Sequence, residues 1–175
     1  MDVVDAIRSR RSVRKYQDRE VSKDVLLELI DAARLAPSGN NAQPWMFKII
    51  TSAKERKLLR KNKIFKQAFV YTAPAIILCC SDPYKYPGEK FDEQYDHPNK
   101  LRAIRDLAIS SQNLVLRATE LGLGTCYVGW MDKDKIKELF NLPLYFITPY
   151  VITVGYPAEN PSEHKKKELK DILIK

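Results

Sequence analysis

The sequence predicts one domain of mixed helix and strand, in which several helices flank a small sheet. Three observations lead there. Helix-period and strand-period apolar patterns alternate along the chain. No internal repeat or low-complexity linker marks a boundary, so residues 1–175 read as one unit. That length suffices for a substantial hydrophobic core. The pattern leaves the order of the strands open.

In chain order, residues 2–9 read as a short helix that turns Val3, Val4 and Ile7 inward. Ser22 caps a second helix reaching about Ala36, since its hydroxyl can accept from a free backbone N–H of the first turn. Val25, Leu26, Leu29, Ile30, Ala32, Ala33 and Ala36 form its apolar stripe, and Pro37, Ser38 and Gly39 stop it. Residues 45–51 read as a strand, 54–61 as a charged helix and 75–81 (AIILCCS) as a buried strand. Residues 83–98 hold three prolines and three tyrosines among mixed charges. Such an excursion is long enough for a binding loop, where Tyr84, Lys85, Tyr86, Lys90 and Tyr95 would meet an acidic or aromatic substrate; a solvated loop is the other reading. The longest helix spans 101–121, with Leu101, Ile104, Leu107, Ala108, Leu114, Val115, Ala118 and Leu121 along it and Gly122 at its stop. An extended stretch at 125–129, a short helix at 132–140 and a strand at 146–155 complete the order.

Composition narrows the class. Apolar residues at 45% and charged residues at 30% describe an ordinary globular chain. The longest apolar run, residues 73–80, is broken by Pro74 and too short for a bilayer, so no membrane partner is expected. The acidic N-terminus lacks the layout of a signal peptide, which points to the cytoplasm. Adjacent Cys79 and Cys80 should face opposite sides of their strand, and neither the cysteines nor the isolated His97 and His164 have metal-ligand spacing.

A net charge of +8 admits a solvated basic surface, a nucleic-acid binder or a protein that captures a phosphorylated cofactor. The charges cluster at Arg8, Arg10, Arg11, Arg14 and Lys15 near the start, and at Lys165, Lys166, Lys167 and Lys170 near the end. Neither cluster has the interleaved aromatics of a single-strand binder. Two basic ends that meet in space would enclose one phosphate.

Three segments carry chemistry. In RRSVRKY (10–16), an extended backbone puts Arg10, Ser12 and Arg14 on one side and Arg11, Val13 and Lys15 on the other. Paired guanidinium donors and a hydroxyl suit a phosphate dianion such as that of flavin mononucleotide. A basic turn held in solvent explains the same residues. In PSGNNAQPW (37–45), amides and hydroxyls offer donors and acceptors to the uracil-like edge of a flavin, though these are also ordinary turn residues. In GLGTCYVGW (122–130), the glycines lack GxGxxG spacing, but a glycine-rich path suits a flat ring against backbone. No histidine stands near Cys126 in sequence to activate it as a nucleophile.

Together with TAPAIILCCSDP (72–83) and ITVGYPAENP (152–161), these segments resemble, in order and over nearly the whole chain, the nitroreductase family of FMN-dependent flavoproteins. The resemblance implies an α+β fold with a small, mostly antiparallel sheet, and an entwined homodimer with one FMN at each end of the interface. It assigns Arg10, Ser12 and Arg14 to the phosphate, with Arg11 assisting. Ser38, Asn40 and Asn41 of the other subunit would touch the isoalloxazine region, and Gln43 would join them or brace the loop. The backbone N–H of Val128 or Gly129 would face flavin N5. In the family a basic residue near the C-terminus, often arginine, completes the phosphate site; here only His164 and Lys165–Lys167 stand there, and Lys166 takes the role. Lys66 or Gln67 would meet the ribityl chain.

NADH or NADPH would then deliver hydride to N5, and an electron-poor acceptor (nitroaromatic, quinone or activated alkene) would collect it in ping-pong fashion. No side-chain acid or base is required, since the flavin does the chemistry. Reductive dehalogenation or another specialised flavin reaction on the same fold, or FMN binding without catalysis, are the alternatives. A nucleic-acid partner is disfavoured by the combined motifs.

Overall fold

The computed structural model describes residues 1–87 and 99–174, so most of the excursion at 83–98 lies outside the described residues. Among these residues, helices and strands follow in the order α1 (Val3–Ser9), α2 (Lys23–Arg34), β1 (Trp45–Ile50), α3 (Ala53–Lys61), β2 (Ala75–Ser81), α4 (Lys100–Glu120), β3 (Gly124–Val128), α5 (Lys133–Leu139) and β4 (Ile147–Gly155). Short 3-10 turns at Gly39–Asn41, Ala68–Thr72, Pro83–Lys85 and Leu169–Asp171 have no hydrophobic period to announce them.

The helix starts follow local chemistry. Ser22 accepts from the Val25 N–H, Ser52 from Glu55 and Asp132 from Lys135, each side chain satisfying a donor that the first turn leaves free. The end of α4 is equally local. Leu123 N–H donates to Ala118 O at 2.8 Å and Gly122 N–H to Thr119 O at 3.0 Å, with Gly122 at φ +73°, the left-handed turn glycine adopts at least cost.

The four strands form one antiparallel sheet in the order β1-β2-β4-β3, the arrangement the resemblance implies. β2 lies inside the sheet and is buried along its whole length. Its Ala75, Ile77 and Cys79 pack with Leu29 and Ala33 of α2 and with Leu107, Leu114 and Ala118 of α4. Its Ile76, Leu78 and Cys80 pack on the other face with Leu59, Ile64, Val70 and Ile136. Cys79 and Cys80 thus do face opposite sides, and with Cys126 they are free thiols. Burial pushes the Cys80 thiol up to about 12, and Cys79 higher, which keeps both protonated and inert.

One expectation is overturned. Val3, Val4 and Ile7 are 70%, 52% and 57% exposed, and only Ala6 of α1 is buried. An apolar stripe shows that a face wants cover; it does not say that the cover belongs to the same chain. Among the described residues no helix is long and apolar enough to cross a membrane.

Candidate cofactor site

The RRSVRKY segment runs along the exposed edge of β3. Ser12 bridges Thr125 in parallel, the Val13 N–H donates to Thr125 O at 2.9 Å, and Tyr16 bridges Pro157. Val13 is buried against β3, where a Cβ on Gly124 would lie 2.8 Å from its side chain. With Val13 turned in, Ser12 and Arg14 turn out, the alternation expected of an extended segment. Tyr16 locks this register: its hydroxyl donates to Val13 O at 2.7 Å and shares a 2.6 Å hydrogen bond with Thr153 Oγ1. Burial pushes the Tyr16 hydroxyl well above the ordinary tyrosine range, so it remains a donor.

Arg14 Nη1 reaches back to Ser12 O at 3.4 Å, beside the bridge from Ser12 to Thr125. Burial raises the Cys126 thiol pKa, while Arg14, a hydrogen bond with Ser12, and Arg10 pull it down. Arg11 is occupied differently. It donates to the carbonyls of Arg8 at 2.5 Å and Arg10 at 3.0 Å, and pairs with Glu163 at 3.5 Å, which makes it a brace for the motif.

The two ends of the chain do meet. Glu159 accepts from the N–H groups of Arg14 and Lys15 at 2.6 and 3.1 Å, and Lys15 O accepts from Ala158 N–H at 2.9 Å. Lys166 is exposed on the tail shortly beyond Glu163.

The loop at 38–43 is strained in a way its composition permits. Asn40, Asn41 and Gln43 have φ of 56°, 54° and 47°, the left-handed region in which asparagine is the least disfavoured ordinary residue. Ser38 Oγ accepts from Gln43 N–H at 2.9 Å, and Gln43 Nε2 donates to Asn41 O at 3.2 Å, so Gln43 braces its own loop. Asn40 and Asn41 point to the exterior of the chain. Gly39 N–H donates at 2.8 Å to Asp106, a carboxylate in the middle of α4 that the sequence reading missed. Its signal was an acid embedded between Ala103 and Leu107 on an apolar face.

At the far end of β3, Val128 is buried in the ladder opposite Val151, while Gly129 and Trp130 are exposed. The Lys66 N–H donates to Trp130 O at 3.3 Å and Phe65 bridges Met131, which brings Lys66 and Gln67 beside this stretch. Gln67 Oε1 is buried and has no hydrogen-bond partner among the described residues. A buried acceptor left unpaired is costly, so a hydroxyl donor from a sugar-like chain fits there. Arginine and serine side chains beside one end of β3, an orphaned acceptor near the other and exposed glycine backbone beside it are donors and acceptors of the kinds that FMN's phosphate, ribityl chain and ring would need. A separate cavity of about 660 Å³ beside Val21, Ile49 and Arg56 contains none of these residues.

The comparisons agree with that arrangement. A family model described as the nitroreductase family matches residues 7–66 and 59–156. A protein of Methanothermobacter thermautotrophicus, provisionally named an NADH dehydrogenase/NAD(P)H nitroreductase, is 40% identical over 169 residues, covering 92% of this chain and 80% of the relative. The crystal structure of a nitroreductase family protein from Clostridium difficile superposes with a TM-score of 0.83 at 31% identity, covering 99% of this chain and 98% of that one. A Desulfovibrio desulfuricans protein, provisionally named a nitroreductase and solved in complex with FMN, gives 0.86 at 26% identity over 100% and 96% of the two chains. Sequence order, sheet topology and these likenesses converge: the chain belongs to the nitroreductase family, and is an oxidoreductase.

Proposed function

We propose that the protein binds one FMN per protomer of a homodimer and carries hydride from NADH or NADPH to a small electron-poor acceptor such as a nitroaromatic, quinone or activated alkene. The observation that carries this reading is the docking of the extended RRSVRKY segment on the edge of β3, with Val13 turned in and Ser12 and Arg14 turned out together. FMN, when bound, supplies the redox chemistry by taking up hydride at N5 and releasing it again.

The residues of the chain bind and orient. Arg10 and Arg14 neutralise the phosphate, Ser12 donates a hydrogen bond, Arg11 braces the motif and Lys166 closes from the tail. Gln67 Oε1 accepts from a ribityl hydroxyl. The backbone N–H of Val128 or Gly129 would supply a donor to the flavin ring at N5, where such a donor would stabilise added electron density. Ser38, Asn40 and Asn41 of the second copy meet the ring edge. No side chain acts as general acid or base. One open ring face serves donor and acceptor in turn, which gives ping-pong kinetics.

The test is direct. Protein reconstituted with FMN should show the bands of oxidised flavin, NADH or NADPH should bleach them without oxygen, and a quinone should restore them. Initial rates should give parallel double-reciprocal lines. A protein that takes up no FMN would overturn the reading, and intersecting lines would remove the single-face mechanism.

The dimer should be required for flavin binding. Val3, Val4 and Ile7 of α1 and Leu169, Ile172, Leu173 and Ile174 of the tail leave large apolar side chains exposed, surface that a second copy would cover. Sedimentation at low protein concentration should find flavin only in the dimer; a flavin-loaded, active monomer would contradict the shared site.

A further inference from the structure

Asp106 is 1% exposed, and among the described residues its carboxylate joins the loop at 38–43 to Tyr86 and to its neighbour Arg105. Its Oδ2 accepts from the Gly39 N–H and from the Tyr86 hydroxyl, each at 2.8 Å. Its Oδ1 accepts from Arg105 Nε at 3.1 Å. Tyr86 is itself buried and carries the Arg102 guanidinium over its ring at 4.4 Å. A Cβ on Gly39 would meet Arg102 Nη2 at 3.2 Å and Arg105 Nη2 at 3.5 Å, so the loop backbone sits directly against this cluster. A carboxylate buried in an apolar helix face needs such donors to stay charged. The strained φ values at Asn40, Asn41 and Gln43 need an external anchor, because left-handed backbone persists only where its surroundings hold it.

We infer that Asp106 is a positioning residue: one carboxylate oxygen sets the loop carrying Ser38, Asn40 and Asn41 and ties it to the turn bearing Tyr86. The inference rests on the proposal that this loop meets the flavin ring edge. Asp106 touches neither cofactor nor substrate; it acts through the Gly39 N–H. Burial and the adjacent carboxylate push the Tyr86 hydroxyl above the ordinary tyrosine range, which keeps it a donor to Asp106. An asparagine in place of Asp106 meets Gly39 and Tyr86 with a neutral amide oxygen in place of a carboxylate oxygen, and its NH2 then faces the Arg105 Nε–H, where an acceptor is needed.

The experiment uses the FMN-reconstituted protein with Asp106→Asn and Tyr86→Phe. Asp106→Asn should change the visible circular dichroism of the bound flavin and slow its anaerobic reduction by NADH about 10-fold or more, the loss of one charged hydrogen bond. Competition by inorganic phosphate at the Arg10–Arg14 end should stay unchanged. Tyr86→Phe should shift the same signals in the same direction by a smaller factor. Arg117→Ala, which removes the ion pair between α4 and Glu28 of α2, serves as the control: it should lower the melting temperature without moving the flavin dichroism. Unaltered dichroism and reduction rate in both loop variants would overturn the inference while leaving FMN binding standing. Should Asp106→Asn fail to fold, Tyr86→Phe decides alone by the same signals. Failure of the unaltered protein to take up FMN removes the flavin reading itself, and this inference with it.

Discussion

Alanine at Arg10 or Arg14 is expected to weaken FMN binding by about 10- to 150-fold each, the equivalent of about 1.5–3 kcal/mol for one charge-assisted hydrogen bond. Alternation along the extended segment puts both on the side that Ser12 shares, and the proposal has both serve one phosphate. Lys15 lies on the other side of the extended segment and is the internal control; Lys15→Ala should cost little. The fold should survive all three changes, because the segment is held by the buried Val13, the Tyr16 hydroxyl and the bridge to Thr125. Flavin fluorescence titration reads the affinities and a thermal melt checks the fold. Equal and negligible effects at all three positions would sink the phosphate assignment.

Gly155→Ala should be the most damaging small substitution near the site. A Cβ there would lie 2.7 Å from Pro74 Cδ and 2.8 Å from Tyr16 Cδ1, both in rigid rings. Forcing a methyl group into a packed place of this kind costs about 1–3 kcal/mol, or roughly 3–10 °C in melting temperature for a domain of this size. The displaced ring matters as much as the energy. Tyr16 fixes Val13 through its carbonyl, and Val13 fixes the alternation that presents Ser12 and Arg14. The variant should therefore melt earlier and also bind FMN more weakly once folded. A melting temperature within a degree of the unaltered protein would show that Tyr16 and Pro74 yield freely. Normal FMN affinity despite earlier melting would cut the link from Tyr16 to the phosphate.

The elements most legible in the sequence were those fixed by contacts a few residues apart. Ser22 and Gly122 announced their helix ends because a cap is a local hydrogen bond, and AIILCCS announced a strand buried on both faces. Strand order was closed to the pattern, since it depends on pairings such as Trp45 with Ser81 and Gly124 with Gly155 that no period encodes. The inward reading of Val3, Val4 and Ile7 failed for the same reason: periodicity identifies a face, and its partner is a separate matter. At the site, alternation within RRSVRKY predicted the side that Ser12 and Arg14 share. It said nothing of Glu159, Tyr16 with Thr153, or Asp106 with Gly39, whose contacts span most of the fold. Chemistry was readable by residue type; the supports that aim it were not.

The contact between Arg14 and Glu159 joins positions 145 residues apart. Closing so long a loop is slow relative to forming α2 or α4, whose contacts are local. On a ribosome, the first basic motif emerges early and must wait, solvated, while the sheet is made beside it. Glu159 and Glu163 are synthesised only after all four strands of the sheet. A product stalled before residue 159 can hold most of its hydrophobic core yet lacks the carboxylate that holds the Arg14 backbone. Flavin uptake during translation would then report synthesis past residue 159.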